Sequence, residues 1–510
     1  MIGDALALLL VNGCLFVAGA GLTRALGGWR RPRELAAIAA TSLLVGTAVF
    51  GVTAQLLYVL GLSLAAPQFF ALCALLAATG ARCNGPVTAL GRQLPPTRLE
   101  WLAAALLGLP LLLLALNAVH QPLASWDAWA QWTPKALALV ELDGLDSAVF
   151  ASPAYADWHP DYPLLVPALE AAAFRFGVGV QTIHLQFVLM LAAFAVSLLE
   201  LLRPRVGRLL AWSAVLAIVW TPKVGAETLS ANADLPLAIF LVLAGVAAWL
   251  WIVDGSRAAL GLFAVFGAAA TATKLEGAVE LAIVLGVALL FALRRSRERA
   301  LLLVGAGALS LVGLVPLRLW AILTDAPSTY PASSVVDNVQ GVEVSRVPIS
   351  SLLLLRQLFD PEVWLVLVPL ALGAVAVTGL TLRRSRAAAL LASATAVLVL
   401  TGIAAAFVLP PSSFAWRAGY WLLFLPAAAA GGVLVAASLR VDRAAAYVAC
   451  SLGGIFAALV AIYTFTPYDF AWHLGTSSSR VVLPLGLFAA ALTPIVLSRA
   501  LGAGSRDGVP

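Results

Sequence analysis

Asp127 stands between Trp126 and Trp129 in the stretch SWDAWAQWTPKA, and Asp157, His159 and Asp161 alternate farther along in YADWHPDYPLL. A carboxylate directly beyond an apolar run gains little from the interface and suits proton abstraction or cation binding. The alternation around Pro160 could aim two or three ligands at one divalent cation, or it could be an ordinary proline turn; no HExxH or Cys/His metal spacing accompanies it. Two later stretches carry similar groups: Lys223, Glu227, Asn232 and Asp234 in TPKVGAETLSANADLPLA, and Lys274 with Glu276 in ATATKLEG. Asp234 reads either as a reactive acid or as a helix N-cap. Lys274 and Glu276 read either as site residues or as a mutual salt bridge. If 127–140 is a regular helix, Asp127, Gln131 and Lys135 share one face, which makes Lys135 part of a solvated, ion-paired surface. The tryptophans Trp126, Trp129 and Trp132 either line a binding face or form an interfacial aromatic belt.

The elements that position these groups must cross a membrane. Of 510 residues, 62% are hydrophobic and 11% charged, and the mean hydropathy is +0.99. A soluble globule needs more polar surface than that. Apolar runs approach the ~20 residues required to span about 30 Å of hydrocarbon, and in that medium helices satisfy their own backbone. The expectation is an all-α, polytopic transmembrane bundle of about 15 spans, near 5–26, 35–60, 65–82, 99–119, 181–202, 208–221, 234–253, 257–272, 277–293, 300–323, 361–382, 387–409, 417–438, 444–463 and 481–499. The net charge of +6 resides in arginine clusters in alternate connectors, among them Arg30/Arg31/Arg33, Arg203/Arg205/Arg208, Arg294/Arg295/Arg297/Arg299 and Arg383/Arg384/Arg386. This pattern orients the chain in a bilayer and excludes a nucleic-acid partner. The basic connectors are then cytoplasmic. Segments 120–180, 222–233, 273–276, 324–360, 410–416 and 464–480 face the other side of the cell inner or plasma membrane, provided that 162–176 is a juxtamembrane helix that does not cross.

Three leading spans occupy 1–98, a module with the long loop 120–180 occupies 99–323, and an external loop plus C-terminal spans occupies 324–510. An acidic residue, Asp4, stands where a cleavable signal would be basic, so the first span is expected to be retained. Cys14, Cys73, Cys83 and Cys450 lack any metal or disulfide framework spacing. PISSLLLLRQLFDPEVW, residues 348–364, reads as an amphipathic helix lying in the interface, either a lid or a plain linker.

In order and kind, these stretches resemble the polytopic glycosyltransferases of the GT-C superfamily, especially the lipid-linked-sugar transferases related to protein mannosyltransferases and aminoarabinose transferase. The likeness runs over about 99–440. It rests on SWDAW opening an external loop, HPDYPLLVPALEAAAFRFG closing it, NADLPLA at the mouth of a span, TKLEG with Leu275 where some members have Asn, and WRAGYWLLFLP with Ala418 and Gly419 before Tyr420. TPYDFAWHLGTSSSR is also similar to a bacterial C-terminal stretch. Three spans precede the first family-like helix, and Asp127 lacks the adjacent second acid of the protein mannosyltransferases. The resemblance implies inverting sugar transfer on the extracytoplasmic (periplasmic) face, from a polyprenyl-phosphate-type donor to a glycan, lipid or protein acceptor. It implies Asp127 as general base, with Asp161 and Asp234 completing the acidic cluster. It further implies Lys274, Arg417 and Arg480 as cations for the donor phosphate, and Trp126, Trp129, Trp158, His159, Glu276 and Trp472 as sugar or acceptor contacts. No cofactor is required by it, apart from a divalent cation that Asp127, His159, Asp161 and Asp234 could hold. The competing reading is a secondary transporter of a small polar or lipid-linked substrate, whose intramembrane acids would relay protons. A non-catalytic envelope scaffold would leave the external carboxylates without a common role.

Overall fold

The computed structural model describes residues 2–82, 95–329, 345–364 and 443–500. Every regular element among them is helical. The chain divides into two compact units, the first running from the N-terminus to Thr329 and the second from Tyr330 onward, with residues 205–210 and 221–223 counted in the second.

In the first unit the helices are α1 (Ile2–Ala25), α2 (Ala39–Val59), α3 (Ala66–Ala81), α4 (Arg98–His120), α5 (Thr133–Glu141), α6 (Leu165–Arg175), α7 (His184–Val206), α8 (Arg208–Val219), α9 (Pro222–Ser230), α10 (Asp234–Asp254), α11 (Arg257–Thr271), α12 (Leu275–Leu293), α13 (Arg297–Ser310) and α14 (Val315–Leu323). Eight described helices are long and apolar enough to cross a bilayer, or up to ten if each bent pair counts as one span. This fits a multi-pass membrane protein. The expected spans 387–409 and 417–438, and 361–382 beyond Trp364, lie outside the described residues.

Several expectations change in detail. The stretch 222–233, read as an external loop, carries α9, which starts on Pro222 as helices favour and bends 56° from α8. The expected span 300–323 is broken, its two halves bent by 43°, with Gly313 and Pro316 at the break. α3 and α11 are the shorter apolar helices; at 1.5 Å per residue they fall short of the hydrocarbon thickness. α6, with 11 residues, is likewise too short to span, in keeping with a juxtamembrane helix.

Burial orders the bundle. α10 is buried along almost its whole length and is packed by α11 and α12, whereas α4 is mostly exposed, as a lipid-facing helix would be. α1 packs closely on α2 through small residues: a Cβ at Gly19 would meet the Ser42 carbonyl oxygen, and one at Gly46 the Leu15 carbonyl oxygen. Small residues at such crossings let backbones approach where apolar burial gives no drive.

The second unit contains α15 (Arg346–Phe359), α16 (Arg443–Thr464), α17 (Phe470–Val481) and α18 (Leu483–Ala500). α15 is the helix expected at 348–364. It does not lie free on an interface, because it packs on α16 and α17 with Leu352, Leu354 and Leu358 buried. Asp469 caps α17 by accepting from Trp472 N at 2.8 Å.

Candidate functional site

Four short bonds draw three distant stretches together within the first unit. Leu165 N donates to the Ala272 carbonyl at 2.9 Å, tying the close of the long loop to the turn before α12. Ser125 Oγ donates to Asn232 Oδ1 at 3.0 Å, tying its opening to the mouth of α10. Lys274 Nζ reaches Asp234 Oδ1 at 2.9 Å, and Tyr162 OH reaches Glu276 Oε1 at 3.5 Å. Beneath them Gln55, buried in the membrane-crossing α2, accepts from Leu164 N and donates to the Gly313 carbonyl, both at 2.6 Å. One amide therefore fixes both the long loop and the break between α13 and α14.

Asp127 opens a five-residue π-helical turn, Ala128–Trp132, before α5 begins. A π-turn advances the chain differently from a regular helix and recurs at functional sites, so the one-face reading of Asp127, Gln131 and Lys135 fails. Asp127 is half-buried. Trp126 and Trp129 are 63% and 48% exposed and pack edge to face at 4.6 Å. Trp158 lies against Tyr155 and Phe150.

Lys135 overturns its expected place on a solvated face: it is completely buried. Its ammonium sits 4.6 Å from the Trp132 ring and 5.9 Å from that of Tyr162, and it donates to the His159 carbonyl at 3.2 Å. Burial pushes the amine down to about 7, opposed by the charges of Asp161 and Asp127. His159, which presents that carbonyl, holds a left-handed backbone with φ of 49°, strain that a surrounding network must maintain. Nearby, burial raises the Glu170 carboxyl to about 8 against the stabilising Thr133 hydroxyl.

Asp161 is fully buried and bonded at both oxygens. Oδ2 accepts from Arg318 Nη1 at 2.6 Å, Ser328 Oγ at 3.1 Å and Thr329 N at 2.9 Å, while Oδ1 accepts from Thr329 Oγ1 at 2.5 Å. Thr329 Oγ1 also shares a hydrogen bond with His159 Nδ1 at 2.9 Å. One carboxylate thus holds α14 and the strand of chain behind it over the His159 turn.

Asp234 is the first residue of α10, whose N-cap is Ala233 with no side-chain cap bond. The capping alternative is therefore replaced by an ion pair. Lys274 is not paired primarily with Glu276, which stands at 3.9 Å against 2.9 Å for Asp234. Gly277, the last residue of TKLEG, is required where it stands, since a Cβ there would meet the Ala270 carbonyl oxygen.

The structure thus brings Asp127, His159, Asp161, Asp234, Lys274 and Glu276 into one unit, with Trp126, Trp129 and Trp158 on the same loop. Arg480 and Trp472 belong to the second unit, Trp472 being 58% exposed. Arg417 lies outside the described residues. Three participants carried no expectation from the sequence, Gln55, Glu280 and Arg318, and Lys135 was expected on a solvated face instead. Lone polar residues in apolar helices are the signal that marks Gln55, Glu280 and Arg318.

Among the described residues no three His, Cys, Asp or Glu side chains gather to hold a metal ion. Asp161 is saturated by hydrogen-bond donors and Asp234 is engaged by Lys274, so these residues do not fit a resident divalent cation. Comparison of the chain with protein-family models, curated proteins and solved structures finds no match.

Proposed function

We propose that the chain is an integral membrane glycosyltransferase of GT-C type, moving a sugar with inversion from a polyprenyl-phosphate-type donor to a glycan, lipid or protein acceptor on the extracytoplasmic face. The observation that carries the proposal is the convergence of the acid-bearing loop 121–180 with the mouths of α10 and α12 through Ser125–Asn232, Leu165–Ala272 and Tyr162–Glu276. Isolated interfacial loops have no need of such joining. A transferase needs it, because acceptor base, donor and leaving-group cations must meet at one place.

In this reading Asp127 accepts the proton of the acceptor hydroxyl. The freed oxygen forms a bond to the anomeric carbon from the face opposite the phosphate. The C–O bond to phosphate breaks, and its electrons leave with the phosphate. Asp127 suits the base because it is half-buried at the head of the π-turn beside two open tryptophan rings, whereas Asp161 and Asp234 are buried. Asp161 and Asp234 act by positioning. Lys274 is the one member of the proposed phosphate-binding set that the first unit contains. Trp126 and Trp129 offer open ring faces for a sugar.

Full-length protein reconstituted with a panel of radiolabelled polyprenyl-phosphate sugars tests this. At least one donor should lose its sugar in wild type, and Asp127→Asn should slow that loss by about 10²–10⁴-fold. Transfer from no donor, or equal rates in the two proteins, sinks the assignment.

One feature favours a secondary transporter as a second reading. Glu280 is an acid inside an apolar span, and two helix pairs are broken, both recurrent devices of proton-coupled carriers. Proton-driven solute uptake into liposomes that survives Asp127→Asn would decide for it.

A further inference from the structure

Two carboxyl oxygens are left over when the Lys274 cluster is balanced. Lys274 Nζ is engaged by Asp234 Oδ1 at 2.9 Å and lies 3.9 Å from Glu276 Oε1. Glu276 Oε1 also accepts from Tyr162 OH at 3.5 Å. Glu276 Oε2 and Glu280 Oε2 are both buried and meet no donor. Glu280 is 1% exposed and follows Glu276 by one turn, so the two share a face of α12.

The charged groups around Glu280 are Glu276, Lys274 and Asp234. The other charges on the helices packed against α12 stand at the far ends: Asp254 closes α10, Arg257 opens α11, and Arg297, Glu298 and Arg299 open α13. Among the described residues the charged groups at this end are three carboxyls and one ammonium. Full ionisation would leave Glu276 Oε2 and Glu280 Oε2 as buried anionic oxygens with no donor in a helix bundle. Each buried unpaired ion costs several kcal/mol, and like charges at this spacing repel. The surroundings give no donor to relieve either oxygen. A proton does so at once, removing one charge and turning one carboxyl oxygen into a donor.

We propose that Glu276 and Glu280 form a proton-binding site, a carboxyl pair that carries one exchangeable proton on Glu280 beside the Lys274–Asp234 ion pair. Such a pair titrates as a unit, not as two separate acids. The inference goes beyond the transfer reaction and stands whether or not Asp127 acts as base.

The test uses the full-length chain in lipid nanodiscs and dicyclohexylcarbodiimide, an apolar reagent for carboxylic acids in apolar surroundings. The acid proton passes to a carbodiimide nitrogen while the carboxylate oxygen bonds to the central carbon, and rearrangement leaves a stable N-acylurea that peptide mass spectrometry locates. Ordinary glutamates, with values near about 4.3, are ionised at pH 7 and escape. The expected result is an adduct on Glu280 at pH 7 that is lost in Glu280→Gln and declines as pH rises. Glu276→Gln, which removes the neighbouring charge, should shift that decline to lower pH. Infrared difference spectra read the same group without a reagent, as a neutral-carboxyl C=O band missing from Glu280→Gln. An unlabelled Glu280 together with no such band overturns the proposal, as does labelling that is flat with pH or unmoved by Glu276→Gln.

Discussion

Replacing Lys135 by Met should remove the pH dependence that this one residue imposes on stability. The native amine gives up its proton at about 7 and the unfolded one at the ordinary 10.5. Between those limits the unfolded chain binds more protons, so stability rises with pH and falls as pH drops from 10.5 to 7. Below 7 both forms are charged and the contribution is constant. At 1.36 kcal/mol for each tenfold change in proton affinity, the window is worth roughly 5 kcal/mol, with a slope approaching ~1.4 kcal/mol per pH unit. Lys135 is completely buried, so solvent screening removes little of this. Met fills a similar volume with no titrating group. It forfeits the bond to the His159 carbonyl and the ring contacts with Trp132 and Tyr162, together about 1–3 kcal/mol. The variant should therefore be the more stable protein at pH 6, and its advantage should shrink steadily toward pH 10. Unfolding midpoints followed by tryptophan fluorescence at one scan rate in nanodiscs, at pH steps from 6 to 10, read the difference directly. Parallel curves for the two proteins, or a Met advantage that grows with pH, would refute the reasoning.

Glu170 should behave with the opposite sign. Its native carboxyl keeps a proton up to about 8 and the unfolded one only to 4.5, so stability is full below 4.5 and is lost as pH rises through 8. Glu170→Gln keeps an acceptor for Thr133 and should remove that loss, giving a higher unfolding midpoint than wild type at pH 8.5. Asp161→Asn breaks the ion pair to Arg318 and should cost about 3 kcal/mol, the low end for a buried pair because Arg318 is partly exposed; limited proteolysis should cut faster within 324–329. Gly277→Ala drives a methyl into the Ala270 carbonyl and should lower the unfolding midpoint by the equivalent of about 1–3 kcal/mol. Gly286→Ala, with nothing within 4 Å of the new Cβ, should leave it unchanged or raise it.

The helical class and the presence of eight or more membrane-capable helices were legible because apolar length is a local property that bilayer thickness makes decisive. The breaks were less so. Pro222 and Pro316 were visible as residues, but whether a proline ends a helix, starts the next or bends one depends on what packs beside it. The stretch read as a loop at 222–233 turned out to begin a new helix on its proline, and 300–323 turned out to be two. The joining of 120–180 with 222–233 and 273–276 was legible for a different reason: polar residues are scarce in an oily chain, and those that interrupt it tend to collect together.

The roles within that site were beyond local reading, because a carboxylate's chemistry is set by what has already claimed its oxygens. Asp127, Asp161 and Asp234 look alike as acids beside apolar runs. In the fold, Asp161 spends both oxygens on Arg318, Ser328 and Thr329, residues more than 150 positions away, and Asp234 is claimed by Lys274 forty positions on. Lys135 was misjudged by the same logic. A lysine at helical spacing from an acid is usually a surface partner, and only the closure of Tyr162 and the strained His159 carbonyl over it turns it into a buried cation. Full burial suits Asp161 and Asp234 to holding the fold, and half-buried Asp127, at the head of a π-turn between two open tryptophans, is the acid proposed to meet a substrate.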